Sequence, residues 1–96
     1  MSNIINLPTA ISQTHDYQND ARFQGLTKSV RIEASDYQVL LNQAGVVAVR
    51  TYFAIDNGIL TTVVVGVDST GEDITQGVIL GDALPCPFIC PINSPL

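Results

Sequence analysis

The residues best suited to chemistry lie near the end of the chain, where Pro85-Cys86-Pro87-Phe88-Ile89-Cys90-Pro91 holds both cysteines and three of the five prolines. Proline lacks an amide hydrogen and fixes φ, so this segment reads as an extended or turning arm, without regular structure, that brings two thiols together. Several uses are open to such a pair. Two thiolates can share one soft metal, but a zinc site asks for four ligands, and the single histidine, His15, stands far away on a predicted helix. Two chains pairing their arms would supply four sulfurs. A disulfide is geometrically allowed, because a short proline-rich loop turns tightly enough for the required Cα separation. Thioredoxin-like exchange is disfavoured, since that chemistry uses C-x-x-C at a helix N-terminus, and a proline-broken backbone has no helix dipole to lower a thiol pKa. The structural reading leads: the arm docks its prolines, Phe88 and cysteines on the domain. A disulfide comes next, followed by metal binding, covalent modification or redox exchange.

Arg50 and Tyr52 alternate on one strand and form a candidate ligand patch, a guanidinium for a carboxylate beside a stacking ring. The structural alternative has the Arg50 stem covering apolar neighbours while its charge pairs with an acid from the acidic half of the chain. Asp68, Glu72 and Asp73 surround Gly71, but Ser69 and Thr70 stand where a calcium loop needs carboxylates, and no closing glutamate follows. A turn in which an aspartate caps its own backbone is expected instead. His15 and Asp16 are adjacent on a helix and do not face each other. No Walker loop, GxGxxG or His-Glu zinc motif occurs. The expectation is therefore a protein that is not an enzyme and uses no cofactor.

Positioning these groups falls to a short list of elements. Pro8 just after Asn6 marks a helix entry, and the helix is expected to reach about Arg22 before Gly25. Lys28–Glu33 alternates polar and apolar residues, the period of a half-buried strand. Ser35 is the expected N-cap of a two-turn helix that buries Tyr37, Leu40 and Leu41, with Gly45 as its left-handed stop. Val46–Ile55 and Ile59–Asp68, joined by Asp56-Asn57-Gly58, form the strongest signal, a β-hairpin. Val47, Val49, Thr51, Phe53 and Ile55 share one face of the first strand, and Ile59, Thr61, Val63, Val65 and Val67 share one face of the second. Treating these as a single apolar side of the sheet predicts helices on that side only. Asp68–Glu72 is a turn, and Ile74 to Leu80 a last strand or short helix. The fold class is thus α+β: a three- to four-stranded antiparallel sheet on a central hairpin, two helices packed on one face, and a Pro/Cys-rich C-terminal arm. Residues 1–81 form the single domain and 82–96 the arm.

Around the hairpin, Gly45-Val46-Val47-Ala48-Val49-Arg50-Thr51-Tyr52-Phe53-Ala54-Ile55-Asp56, then Val64-Val65-Gly66-Val67-Asp68 with Gly71 and Asp73, then Cys86-Pro87 and Cys90, make a connected pattern. It resembles a family of small uncharacterised bacterial proteins with a central hairpin, a VGVD…G…D turn and a Cys-Pro-x-x-Cys tail. The resemblance runs from about Leu7 to Cys90. Ile89 departs from the tail's proline-rich spacing, and five residues extend past Pro91. It implies this fold and an intrinsic tail, and it implies no activity.

Composition bounds the function. The chain has 96 residues, 46% of them hydrophobic and 14% charged, against about 25% charged for an ordinary domain. So small a core leaves apolar surface for another chain to cover, which predicts a homo-oligomer, most simply a two-fold dimer, through the uncovered sheet face or an exposed edge. The net charge is −5, and beyond Arg50 every charged residue is acidic: Asp56, Asp68, Glu72, Asp73 and Asp82. Such a surface repels phosphate, so neither nucleic acid nor an anionic membrane is an expected partner. The N-terminal residues lack a basic and apolar leader pattern, and no apolar run reaches the roughly 20 residues of a membrane span, which predicts a cytoplasmic protein with reduced thiols. The expected function is a small interaction or assembly module that binds a protein partner through its sheet face and tail. The alternatives are a thiol-pair module, for soft-metal binding or redox switching, and a precursor whose tail is modified at Cys86, Cys90 or Ser94.

Overall fold

The computed structural model describes residues 2–87 and 89–96. Helix α1 spans Leu7–Gln18. It begins where Pro8 predicts, with the Asn6 carboxamide oxygen accepting from the Thr9 amide at 2.9 Å. It stops short of Arg22 because Asp20 starts a new turn: its carboxylate accepts from the Arg22 amide and caps the short 3-10 turn Ala21–Phe23. Strand β1 is Ser29–Arg31. Helix α2, Ala34–Leu41, starts after Glu33 without a side-chain cap, so Ser35 lies inside it rather than capping it. Of its three expected core residues only Leu40 is fully buried, while Leu41 is exposed.

The hairpin forms as expected. Strands β2 (Ala48–Asp56) and β3 (Ile59–Val67) pair antiparallel from Asp56↔Ile59 to Ala48↔Val67. Asn57 and Gly58 both have positive φ, 50° and 77°, the backbone of a two-residue turn whose twist matches that of the strands. Strand β4 (Asp73–Leu80) adds to the far side of β3, giving the order β2-β3-β4. The register shifts between Val65 and Gly66: Val65 faces Ile79 whereas Gly66 faces Ile74, so Thr75 to Val78 bulge out of the ladder.

The sidedness expected from the sequence is corrected by this register. A two-residue turn sets odd-numbered residues of β2 opposite even-numbered residues of β3, and residues directly opposite share a face. The apolar row Val47–Ile55 therefore lies on the same side as Leu60, Thr62, Val64 and Gly66. The apolar row Ile59–Val67 lies on the other side, beside Arg50 and Tyr52. Strand β3 is thereby apolar on both faces, and from Thr61 to Val67 it is the most buried strand of the protein.

Helix α2 covers β3 and β4 on the Phe53 side of the sheet. A Cβ on Gly66 would meet Val46 Cγ2 at 2.8 Å, so the chain after α2 lies directly on β3 there. Helix α1 buries no residue and is tied in near its C-terminal end, where the Tyr17 hydroxyl donates to the Thr27 carbonyl at 2.7 Å.

The arm is more ordered than its prolines suggest. Leu84–Cys86 forms strand β5, antiparallel to β1, with Ser29↔Cys86, Val30↔Pro85 and Arg31↔Leu84 as partners. The two strands form a separate ribbon, in which Pro85 occupies an edge position that needs no donor on that side.

Candidate functional site

Cys86 and Cys90 are joined in a disulfide, with their Cα atoms 4.9 Å apart. Cys86 is buried at the end of β5, where its carbonyl accepts from the Lys28 amide at 3.0 Å. Cys90 returns over an exposed turn in which the Ile89 amide donates to the Pro85 carbonyl at 2.9 Å. Beyond the turn the chain folds back on α1. The carbonyl of Pro95 lies 3.0 Å from His15 Nε2, and a shallow cleft there is lined by Thr14, Gln18, Pro91, Ser94 and Leu96. Of the prolines and cysteines expected to dock on the domain, Cys86 is buried and Pro85 half-buried, whereas Pro87, Cys90 and Pro91 are exposed. Phe88, expected to dock with them, lies outside the described residues. In this oxidised form neither sulfur is a thiolate, and among the described residues no three His, Cys, Asp or Glu side chains converge as a metal site.

Arg50 and Tyr52 do converge, on Asp73. The Arg50 guanidinium donates to Asp73 Oδ1, the Tyr52 hydroxyl donates to Asp73 Oδ2, and a second Arg50 nitrogen reaches the Gly71 carbonyl at 3.3 Å. Since β2 and β4 flank β3, and Arg50 and Asp73 stand opposite Val65 and Val67, the ion pair arches over the central strand on this face. The hydrogen bond to Asp73, followed by its Coulombic attraction, raises the Arg50 pKa above its ordinary value. The Tyr52 phenol is also pushed up, first by its hydrogen bond to Asp73 and then by desolvation. The structural alternative for Arg50 agrees with this arrangement, in which the patch supplies its own carboxylate.

The Asp68 loop agrees with a self-capping turn. Asp68 Oδ1 accepts from the Thr70 hydroxyl at 2.6 Å, the Thr70 amide at 2.9 Å and the Glu72 amide at 3.1 Å. These donors, the hydroxyl foremost, hold its pKa below the usual carboxylate value.

Sequence reasoning missed Gln43. Its carboxamide oxygen accepts from the Val78 amide at 2.7 Å, and its NH2 donates to the Leu40 carbonyl at 2.9 Å. The side chain fills the space that a Cβ on Gly77 would take, 2.1 Å from Oε1. It thus pins the β4 bulge to the end of α2. The glycines at 66 and 77 are the only trace of this close approach in the sequence, and they do not name the partner.

The remaining feature is an uncovered surface. α2 covers one end of the sheet's Phe53 side and leaves the hairpin end open, so Phe53 is 83% exposed and Ile55 78% exposed. Beside Phe53 a cleft of about 330 Å³ runs between β3 and the segment before β1, lined by Tyr17, Thr27, Val30, Leu60 and Thr62. Its walls are mainly apolar, with Lys28, Ser29 and threonines among the lining residues. The Thr27 hydroxyl donates to the Leu60 carbonyl, while the buried Thr61 and Thr62 hydroxyls have no partner among the described residues. Among the described residues the outer edge of β2 pairs with no strand. Among the described residues no helix is long and apolar enough to cross a membrane. Comparison of the chain with protein-family models, with curated proteins and with solved structures finds no match to any of them.

Proposed function

We propose that this protein is a non-enzymatic interaction module that docks protein through the β2 side of its sheet, with the disulfide-closed tail as a fixed part of the scaffold. The observation that carries the reading is the pair Phe53 and Ile55, at 83% and 78% exposure on a regular nine-residue strand with a free edge. Burying a side chain of this size is worth roughly 1.5–3 kcal/mol, and long exposed edges with apolar faces are otherwise disfavoured because they template aggregation. The Arg50–Tyr52–Asp73 cluster supports the same reading, since its polar groups satisfy one another and leave the strip beside them as the exposed feature. Replacing Phe53 and Ile55 together with serine tests it. The double variant is expected to fold with an unchanged melting profile and to lose the protein crosslinks formed in cells by a photoreactive group at Thr51. Crosslinks that persist in the variant would refute the docking role.

A second reading rests on the disulfide. Cys86 and Cys90 form a redox-responsive clasp, open in a reducing cytoplasm and closed on oxidation, that sets how firmly β5 is held to β1. Trapping free thiols in lysed cells tests it, because a bond that stays fully closed or fully open under every growth condition is no switch.

A further inference from the structure

We infer that the occupant of the β2 edge is a second copy of this chain, paired antiparallel about a two-fold axis at Tyr52, so that two three-stranded sheets become one of six strands. The inference rests on the docking role proposed above and adds the partner and the register.

The hairpin turn determines which backbone groups are available. Asp56 and Ile59 close a two-residue turn, so the even-numbered residues of β2 direct their N–H and C=O groups at β3. The odd-numbered ones, Val49, Thr51, Phe53 and Ile55, direct theirs outward. Nothing along this edge blunts it: Ala48–Asp56 contains no proline and no lysine, and it ends at a tight turn.

A closed two-fold contact requires the strand to be complementary to itself. With Tyr52 on the axis, Val49 faces Ile55 of the second copy and Thr51 faces Phe53 of the second copy. Each of the four outward-facing residues then meets another outward-facing residue and none is left over. Sliding the strands by two residues in either direction leaves outward groups unpaired within the strand or pairs them beyond its ends. On the Phe53 side this register covers the two most exposed large hydrophobic side chains of the strand with Thr51 and Val49. On the other side Arg50, held by Asp73 of its own chain, faces Ala54 of the second copy and meets no like charge. A parallel arrangement in register would set Arg50 beside Arg50. Helix α2 packs on β3 and β4, the β1–β5 ribbon is a separate sheet, and among the described residues no strand pairs with this edge.

Sedimentation velocity of the intact, oxidised protein at tens of micromolar, together with cysteine crosslinking, tests the inference. The wild-type chain is expected to sediment as a dimer. Thr51→Pro removes an outward amide that β3 does not use, and Phe53→Lys places a charge on each side of the contact. Both are expected to sediment as monomers with unchanged circular dichroism. Cys86 and Cys90 are already paired, so a single introduced cysteine is the one free thiol. Tyr52→Cys is expected to crosslink to itself in high yield, because directly facing residues fall within disulfide range, and Thr51→Cys and Phe53→Cys are expected not to. Efficient self-crosslinking at 51 or 53 instead would overturn the register. A dimer that survives both edge variants would overturn the edge while sparing self-association. A monomeric wild type would overturn the second copy as partner, and the docking role would then stand or fall on its own crosslinking test.

Discussion

Replacing Cys90 with serine opens the disulfide while leaving Cys86, the buried partner, in its place at the end of β5. The bond closes a loop with a sequence separation of 4. For so short a loop the lost chain entropy of the unfolded state corresponds to about 2 kcal/mol. A 96-residue chain unfolds with an entropy of about 0.2 kcal/mol per kelvin, so the midpoint of thermal unfolding should fall by about 10 °C. The loss should be local before it is global. Lys28 donates its amide to the Cys86 carbonyl, and Ser29 to Arg31 pair with the strand that ends at Cys86. Calorimetry of the oxidised wild type, the reduced wild type and Cys90→Ser gives the first number, and hydrogen exchange at Lys28 the second. Reduced and oxidised melts that coincide, with unchanged exchange at Lys28, would show that docking on α1 and pairing with β1 hold the tail without the bond.

Three further outcomes follow from the geometry. Gln43→Ala should cost about 1–3 kcal/mol by leaving the Val78 amide without its acceptor, read as a lower denaturant midpoint and faster exchange at Val78. Gly66→Ala should cost a similar amount, about 1–3 kcal/mol, because the added methyl meets Val46 Cγ2; adding Val46→Ala should recover most of the loss, and no recovery would place the strain elsewhere. The Tyr52 phenol, raised by its bond to Asp73, holds its proton more tightly when folded, so this stability is present below the unfolded pKa and lost as pH rises through the higher folded value. An ultraviolet titration should show the Tyr52 ionisation move down in Asp73→Asn, and an unshifted profile would contradict the contact.

Much of the fold was legible because its signals are local. Asn57-Gly58 between β-branched runs specifies a turn that only positive φ can make, Asn6 and Pro8 specify a helix start, and Asp68 with Thr70 and Gly71 specifies a loop that satisfies its own backbone. The sidedness of the sheet was also encoded, since a two-residue turn dictates which residues face each other. Reading each strand by itself hid this and merged two apolar rows that the register sets on opposite sides. Other features depend on partners distant in sequence. Gln43 meets Val78, Thr27 meets Leu60, and Arg31 meets Leu84, and no spacing rule links them. The Arg50–Tyr52 patch was found by strand alternation, but the convergence of both on Asp73 needed β4 folded across β3.

Amide hydrogen exchange along β2, followed by nuclear magnetic resonance over a dilution series, tests the central claim most directly. If the free edge of β2 docks a second copy, the amides of Val49, Thr51, Phe53 and Ile55 will exchange slowly when the protein is concentrated and quickly when dilute, while Arg50, Tyr52 and Ala54, bonded to β3, stay protected throughout. Outward-facing amides that exchange quickly at every concentration would contradict the claim.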